Sequence, residues 1–497
     1  MRGCIESFRR RAGAWAAALL ALALVAACTS ESPPESARVE PAAPDPIEAG
    51  STAAPRSTFL WHATMEGAPG DLWLLGSVHV RSRKDASLDR AVTDALSASD
   101  RAVFEANFED PGANDAAQFT VEHGLLPQGE TLADRLPPEL YASWNDTVTR
   151  AGLATTVYDR MRPWLAAYSV QIAHLDKTGY AWDAGVDHVV YALAKREPSR
   201  PREIVGLETS LEQLEMLRQS SPEVQEAMIR DSIRAIETNE SETLLALYVD
   251  GDERGLAELV AAARADNPTL EPFWEGLLDR RNERMVERLL PRFDQPGSTF
   301  VTVGAAHLYG EKGLIGLLRA AGARVRAVPP RGPAPADLLA LAREEARPTS
   351  ERFASEEDGF SVVMGATPVV QTLEAAPGTR VNSYTVGVGL RSALIVTVAH
   401  LPMEAETAED RSLAAFASSV LRVAGIAPGP PEPADLAGVP AIRVAGSTAE
   451  AAGEATAARR GDRVYVVSGL ATSSDQADRT ELSARYGKMR ESFAWER

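Results

Sequence analysis

Two matching segments far apart in the chain constrain its fold more than any other feature. Leu74-Leu75-Gly76-Ser77-Val78-His79 and Thr302-Val303-Gly304-Ala305-Ala306-His307 each read as an apolar strand followed by Gly-x-x-His, with an amphipathic helix next. A strand that hands over to a helix returns to its sheet by a crossover, so the strands run parallel and helices cover the sheet faces. Glycine lets the backbone turn sharply off the strand, and three residues later the imidazole can point back over the carboxyl edge of the sheet. That edge is where open α/β sheets keep their sites.

The neighbouring text fits the same plan. Short strands are expected at 58–62 and 71–75, a helix at 86–98, and then Arg101-Ala102-Val103-Phe104-Glu105, an apolar strand closed by a carboxylate. From about residue 116 to 290 the periodicity is almost wholly helical, broken by the strand-like Glu203-Ile204-Val205. A strand at 299–303, a helix at 312–321 and a strand at 324–328 complete the pattern. The expected fold is α/β, a sheet with paired strand-Gly-x-x-His elements and a large helical insertion, over residues 58–328. Proline-rich text then predicts a linker at 329–350. Strand patterns with two helices after it predict a smaller α+β domain at 351–497, which shows no cluster of His, Cys or paired carboxylates and reads as a binding or positioning module.

One Gly-x-x-His alone is weak, because a histidine after a strand is commonly just a satisfied polar residue. Two copies in matching contexts use two of only seven histidines. With Glu105 projecting from the same edge, His79 and His307 make a donor set for a divalent transition ion such as Mn, Co or Zn, with positions left for water and substrate. Such an ion lowers the pKa of water and polarises a carbonyl, which is hydrolytic chemistry. Glu105 is either a ligand or the general base. Arg281 lies on the apolar stripe of Trp274, Leu277, Leu278, Met285 and Leu289, so it must meet a carboxylate or a substrate anion. Asp187 and Glu208 are its candidate partners. It is a structural bridge or, more sharply, a catalytic group that binds a substrate carboxylate or an oxyanion. Asp187 is also a candidate further ligand, and Glu208 with Thr209 marks a helix start.

The N-terminus supplies an address. Arg2, Arg9, Arg10 and Arg11 precede an uncharged run to Ala27, and Val25-Ala26-Ala27-Cys28 has the form of a lipobox, so residues 1–27 are expected to be a cleaved lipoprotein signal with lipidation at Cys28. Only one other cysteine, Cys4, occurs, and it leaves with the signal, which excludes disulfides and thiolate catalysis from the mature chain. Residues 28–57, with six prolines, read as a disordered tether spanning roughly 30 Å r.m.s.. Removing four arginines and one glutamate takes the net charge from −19 to −22, which argues against nucleic acid as a partner. Membrane attachment is then through the lipid alone; Thr29 stands in place of the aspartate that retains lipoproteins in an inner membrane, and resemblance to lipoproteins generally implies the outer membrane facing the periplasm, in a host that has one. The oligomeric state is not legible.

These residues resemble the TraB/GumN family, which includes the Tiki proteases. The resemblance covers about residues 58–328 and rests on Leu75-Gly76-Ser77-Val78-His79, Phe104-Glu105, Gly185-Val186-Asp187, Gly206-Leu207-Glu208-Thr209 with Gln213, Arg281-Asn282, and Gly304-Ala305-Ala306-His307-Leu308 with Gly310 and Gly313. It implies a paired Gly-x-x-His site with a glutamate, described in the Tiki branch as metal-dependent proteolysis, and carries over onto His79, Glu105 and His307. The C-terminal part is weakly similar to PsbP/Mog1-like domains. The function expected is a metal-dependent hydrolase acting on a peptide or protein. The alternative is a non-catalytic lipoprotein binding a peptide or cell-envelope partner, since some family members are linked to pheromone sensing or exopolysaccharide clusters.

Overall fold

A computed structural model describes residues 56–496 except 83–86, 107–112, 128, 154, 182–183, 197–202, 337–350, 377–378, 388–391, 402–409, 450 and 473–475. The expected signal, Cys28 and nearly all of the tether lie outside the described residues, as does most of the expected linker. No helix among the described residues is long and apolar enough to cross a membrane.

The first part of the chain contains β1 (Leu60–Thr64), β2 (Gly70–Ser77), β3 (Arg81–Ser82), β4 (Arg101–Ala106), β5 (Tyr180–Ala181), β6 (Glu203–Glu208), β7 (Gly297–Gly304) and β8 (Arg324–Ala327). Six of these form one sheet in the order β6-β4-β7-β2-β1-β8, while β3 and β5 pair separately. The strands β6, β4, β7 and β2 are mutually parallel, and β1 runs antiparallel to both β2 and β8. The chain therefore places its last long strand of this sheet between two early ones.

Strand alternation divides the core between the two faces. Leu75, Phe104 and Phe300 pack on one side against the helices Arg90–Ala98 and Val186–Lys195. Leu74, Val103, Val301 and Val303 pack on the other against Arg280–Leu289 and Leu314–Ala320. The insertion is helical as expected, and its helices begin where local chemistry starts a helix. Pro138, Pro163 and Pro222 lie in first turns. Thr209 caps Ser210–Arg218 in a reciprocal box with Glu212.

The later part contains β9 (Arg352–Ser355), β10 (Phe360–Val363), β11 (Val369–Ala376), β12 (Thr379–Gly387), β13 (Ser392–His400), β14 (Pro428–Leu436), β15 (Val439–Ser447), β16 (Ala452–Arg460), β17 (Arg463–Ala471) and β18 (Ala494–Trp495). Seven of them make an antiparallel sheet in the order β11-β12-β13-β17-β16-β15-β14, and β18-β10-β9 form a small second sheet. Helix Gln476–Ser492 covers one face of the larger sheet through Leu482, Tyr486 and Met489. On the opposite face Ile395 and Val466 share one apolar core with Leu421 of helix Asp410–Val423 and with Trp144, Trp164 and Ile229 of the helical insertion. The two parts of the chain are thus packed through a common core.

Candidate active site

The two Gly-x-x-His turns lie side by side because β2 and β7 are adjacent parallel strands with Gly76 opposite Val303 and Ser77 opposite Gly304. On the other side of β7 runs β4, with Phe104 opposite Thr302. His79, His307 and Glu105 therefore leave three neighbouring strands at one carboxyl edge. The first turn is held by its backbone: Gly76 N–H donates to the Phe59 carbonyl at 2.9 Å, and Tyr248 Oη donates to the Gly76 carbonyl at 2.7 Å. Phe59 adopts a left-handed φ of 53° and stacks on Tyr248 at 4.3 Å. Such a φ is costly for an aromatic residue and persists only where its surroundings over-determine it. A Cβ at Gly76 would lie 2.8 Å from Leu308 Cδ1 and 3.1 Å from Ala305 Cα, so the close approach of the turns requires glycine there.

His307 ends a short 3-10 turn, Ala305–His307, directly after β7 and is buried. Its Nδ1 lies 2.6 Å from Asn282 Oδ1, and its Nε2 is 3.6 Å from Glu105 Oε1. His79 sits at the rim, about half exposed, with Nδ1 2.6 Å from Asp187 Oδ2. Desolvation lowers the His79 pKa, but the Asp187 carboxylate more than reverses this and raises it to about 9, an effect that solvent at the rim tempers. Asp187 stands in the first turn of Val186–Lys195, so it serves His79 rather than Arg281.

Glu105 is buried and engaged on both oxygens. Arg281 donates to Oε1, and the Gly304 N–H donates to Oε2 at 2.8 Å. Burial pushes its pKa up, yet His307 and Arg281 outweigh that and hold the carboxyl well below its ordinary range. Arg281 also donates through Nε to Glu208 Oε2 at 2.7 Å and through Nη1 to the Leu277 carbonyl at 3.2 Å. Arg284 reaches the other Glu208 oxygen at 3.1 Å. Glu208 is thus the last residue of β6 and a partner of two arginines, while Thr209 after it caps the helix. Of the two partners expected for Arg281, the structure supplies Glu208, and Glu105 takes the place of Asp187. The guanidinium bridges two carboxylates.

A single stretch of helix delivers both Arg281 and Asn282. Its turn Glu275–Asp279 is π-helical, after which Arg280–Leu289 is regular and buries Arg281, Asn282, Met285, Val286 and Leu289. Asn282 had carried no role in the sequence beyond its place in a motif. Tyr248 gave no sequence signal at all. A polar cluster also appears in the later part of the chain, where none had been expected: Asp358 is fully buried and accepts from Tyr384 Oη at 2.6 Å and Asn382 Nδ2 at 2.9 Å, with His400 Nε2 at 2.7 Å. Its members come from a turn and two strands, so spacing along the chain hides them.

A family model described as the TraB/PrgY/gumN family matches residues 59–327, more than half of the 497-residue chain. The chain belongs to the TraB/PrgY/gumN family. The matched span runs from the strained Phe59 to the end of β8, so the sheet with both Gly-x-x-His turns is the family's part. Among family relatives, the chain is similar to the protein YbaP of Escherichia coli (strain K12), 24% identical over 265 residues, which covers 52% of this chain and 93% of that protein. The YbaP of Shigella flexneri matches with the same identity and coverage. Among solved structures, the solution structure of cyanobacterial PsbP (CyanoP) from Synechocystis sp. PCC 6803 covers 29% of this chain and 91% of its own, at 12% identity and a TM-score of 0.24, too low to carry an argument.

Two imidazoles and a carboxylate suit a divalent transition ion in chemical kind. The tied Nδ1 atoms fit as well, since an outer partner on that nitrogen orients a metal-binding histidine. Among the described residues no group of three or more His, Cys, Asp and Glu side chains is close enough together to hold an ion. The donors therefore agree in type and in sheet edge, and Glu105 stands drawn to Arg281.

Proposed function

We propose that this TraB/PrgY/gumN family member is a metal-dependent hydrolase, a peptidase, whose ion is held by His79, Glu105 and His307. The observation that carries the reading is the placement of two Nδ1-tied imidazoles and a buried carboxylate at one carboxyl edge, after three adjacent strands. A bound divalent ion would supply hydroxide near neutral pH and polarise an amide carbonyl. In this reading Glu105, its carboxyl held well below the ordinary range beside His307 and Arg281, is a ligand and too weakly basic to be the general base. Arg281 holds Glu105 in place and keeps it charged. Asp187 and Asn282 orient the two imidazoles.

Metal analysis of the purified protein is the direct test. A transition metal should be retained in the wild type and lost in His79→Ala and in His307→Ala, with chelation abolishing peptide hydrolysis and Mn or Co restoring it. Metal content unchanged in both variants would sink the reading. A second reading, a non-catalytic protein that binds a peptide or cell-envelope partner, is favoured by the engagement of both Glu105 oxygens within the chain. Partner binding that survives chelation would support it. The lipid anchor at Cys28 and the outer-membrane address belong to the proposal too, and Cys28→Ser should move the protein from the membrane to the soluble fraction.

A further inference from the structure

We propose that Asn282 is a positioning residue that sets the tautomer of His307, forcing the ring proton onto Nδ1 and leaving the lone pair on Nε2. The amide has only one orientation that satisfies both of its ends. Its Nδ2 donates to the Lys312 carbonyl at 2.9 Å, which turns Oδ1 toward His307 Nδ1, 2.6 Å away. An acceptor at that distance requires Nδ1–H, and a neutral imidazole carries a single ring proton, so Nε2 becomes the electron-pair donor. Asn282 and His307 are 2% and 4% exposed, so water does not compete for either atom.

The choice of an amide has a consequence of its own. His79 meets a carboxylate, which stabilises the charged ring, whereas Asn282 fixes a tautomer without adding a charge beside Glu105 and Arg281. Placement depends on the helix: the π-helical turn at Glu275–Asp279 precedes consecutive buried residues that serve different strands, Arg281 reaching Glu105 and Glu208, and Asn282 reaching His307. Single π-turns inside helices recur at functional sites. Naming Nε2 as the ligating atom rests on the proposed function; the tautomer does not.

The test is a long-range proton–nitrogen spectrum of the full chain with 15N-labelled histidine, after EDTA treatment, with His307 assigned through His307→Gln. The wild type should show protonated Nδ1 and bare Nε2. Asn282→Asp, which keeps an oxygen acceptor, should retain Nδ1–H. Asn282→Leu, of similar size and without an acceptor, should populate the Nε2–H form and weaken Co2+ binding by about 10–100-fold. A wild-type His307 protonated on Nε2, or an unchanged tautomer in an Asn282→Leu protein with native circular dichroism, overturns the proposal. Should Asn282→Leu fail to fold, the wild-type and Asn282→Asp spectra still decide it. A wild type with Nδ1–H on His307 that binds no Co2+ upholds the Asn282 assignment and sinks the metal reading instead.

Discussion

At the scale of single residues, Glu105 and Arg281 carry the largest stake. Both are buried, and each is the other's neutralising partner. Arg281 keeps Glu208 as its other partner when Glu105 is neutralised, so Glu105→Gln removes one charge-assisted bond and should lower stability at pH 7 by about 1.5–3 kcal/mol in denaturant melts. The sign with pH follows from the depressed carboxyl. Its folded pKa lies below the unfolded value of 4.5, so its contribution is complete above that value and is lost as pH falls through the folded one. Wild type should therefore lose stability on acidification below about pH 4.5 more steeply than Glu105→Gln, and parallel pH curves would contradict the assignment. Glycines at the two turns differ in what they protect. Gly76→Ala forces a Cβ against Leu308 and Ala305 and should cost roughly 1–3 kcal/mol. At Gly304 the added Cβ meets Glu105 Oε2 at 3.3 Å and His307 Cδ2 at 3.5 Å, so, on the proposed function, Gly304→Ala should affect metal retention more than melting temperature. Both glycines were legible as turn residues; the atoms they make room for were not, because those belong to other elements.

At the scale of elements, the strands around the site were visible as apolar runs, and their boundaries moved by only a few residues. The π-turn was not visible, since the stripe from Trp274 to Leu289 reads as one continuous helix. Deleting Gly276 should convert the turn to regular α-helix and rotate Arg281 and Asn282 by about 100° relative to the preceding turns. We expect a loss exceeding 4 kcal/mol, measured by thermal melts, because two buried polar groups would lose their partners together. Further along, β14 escaped the sequence pattern because it contains Pro428, Pro430, Pro431 and Pro433. It is tolerated as an edge strand that pairs only with β15, with a register shift between Pro428 and Pro431. Strand β16 is alanine-rich, and only its position between β15 and β17 makes it a strand.

At the scale of the whole molecule, the helical insertion and the later antiparallel sheet bury a common apolar core. Ile395 is fully buried on the sheet face toward the insertion, so Ile395→Ala should cost about 2–5 kcal/mol. Because the core is shared, calorimetry should show the loss in the transition that also melts the helices Pro138–Arg150 and Pro163–Lys177. Two independent transitions, with only one displaced by the substitution, would show that the parts fold separately. The same packing links the family's sheet, through its insertion, to a part of the chain beyond the matched residues 59–327.

What the sequence by itself determined is the α/β class, the pair of Gly-x-x-His turns, the carboxylate ending a nearby strand and the helical character of the insertion. Each is set by short-range chemistry: period of apolar residues, proline and glycine placement, and residue type. Tertiary structure alone decided that β7 enters between β2 and β4, and that Asp187 serves His79, Asn282 serves His307, and Arg281 bridges Glu105 and Glu208. Those partners are brought together by strand order and helix phase, which depend on how whole faces bury against one another.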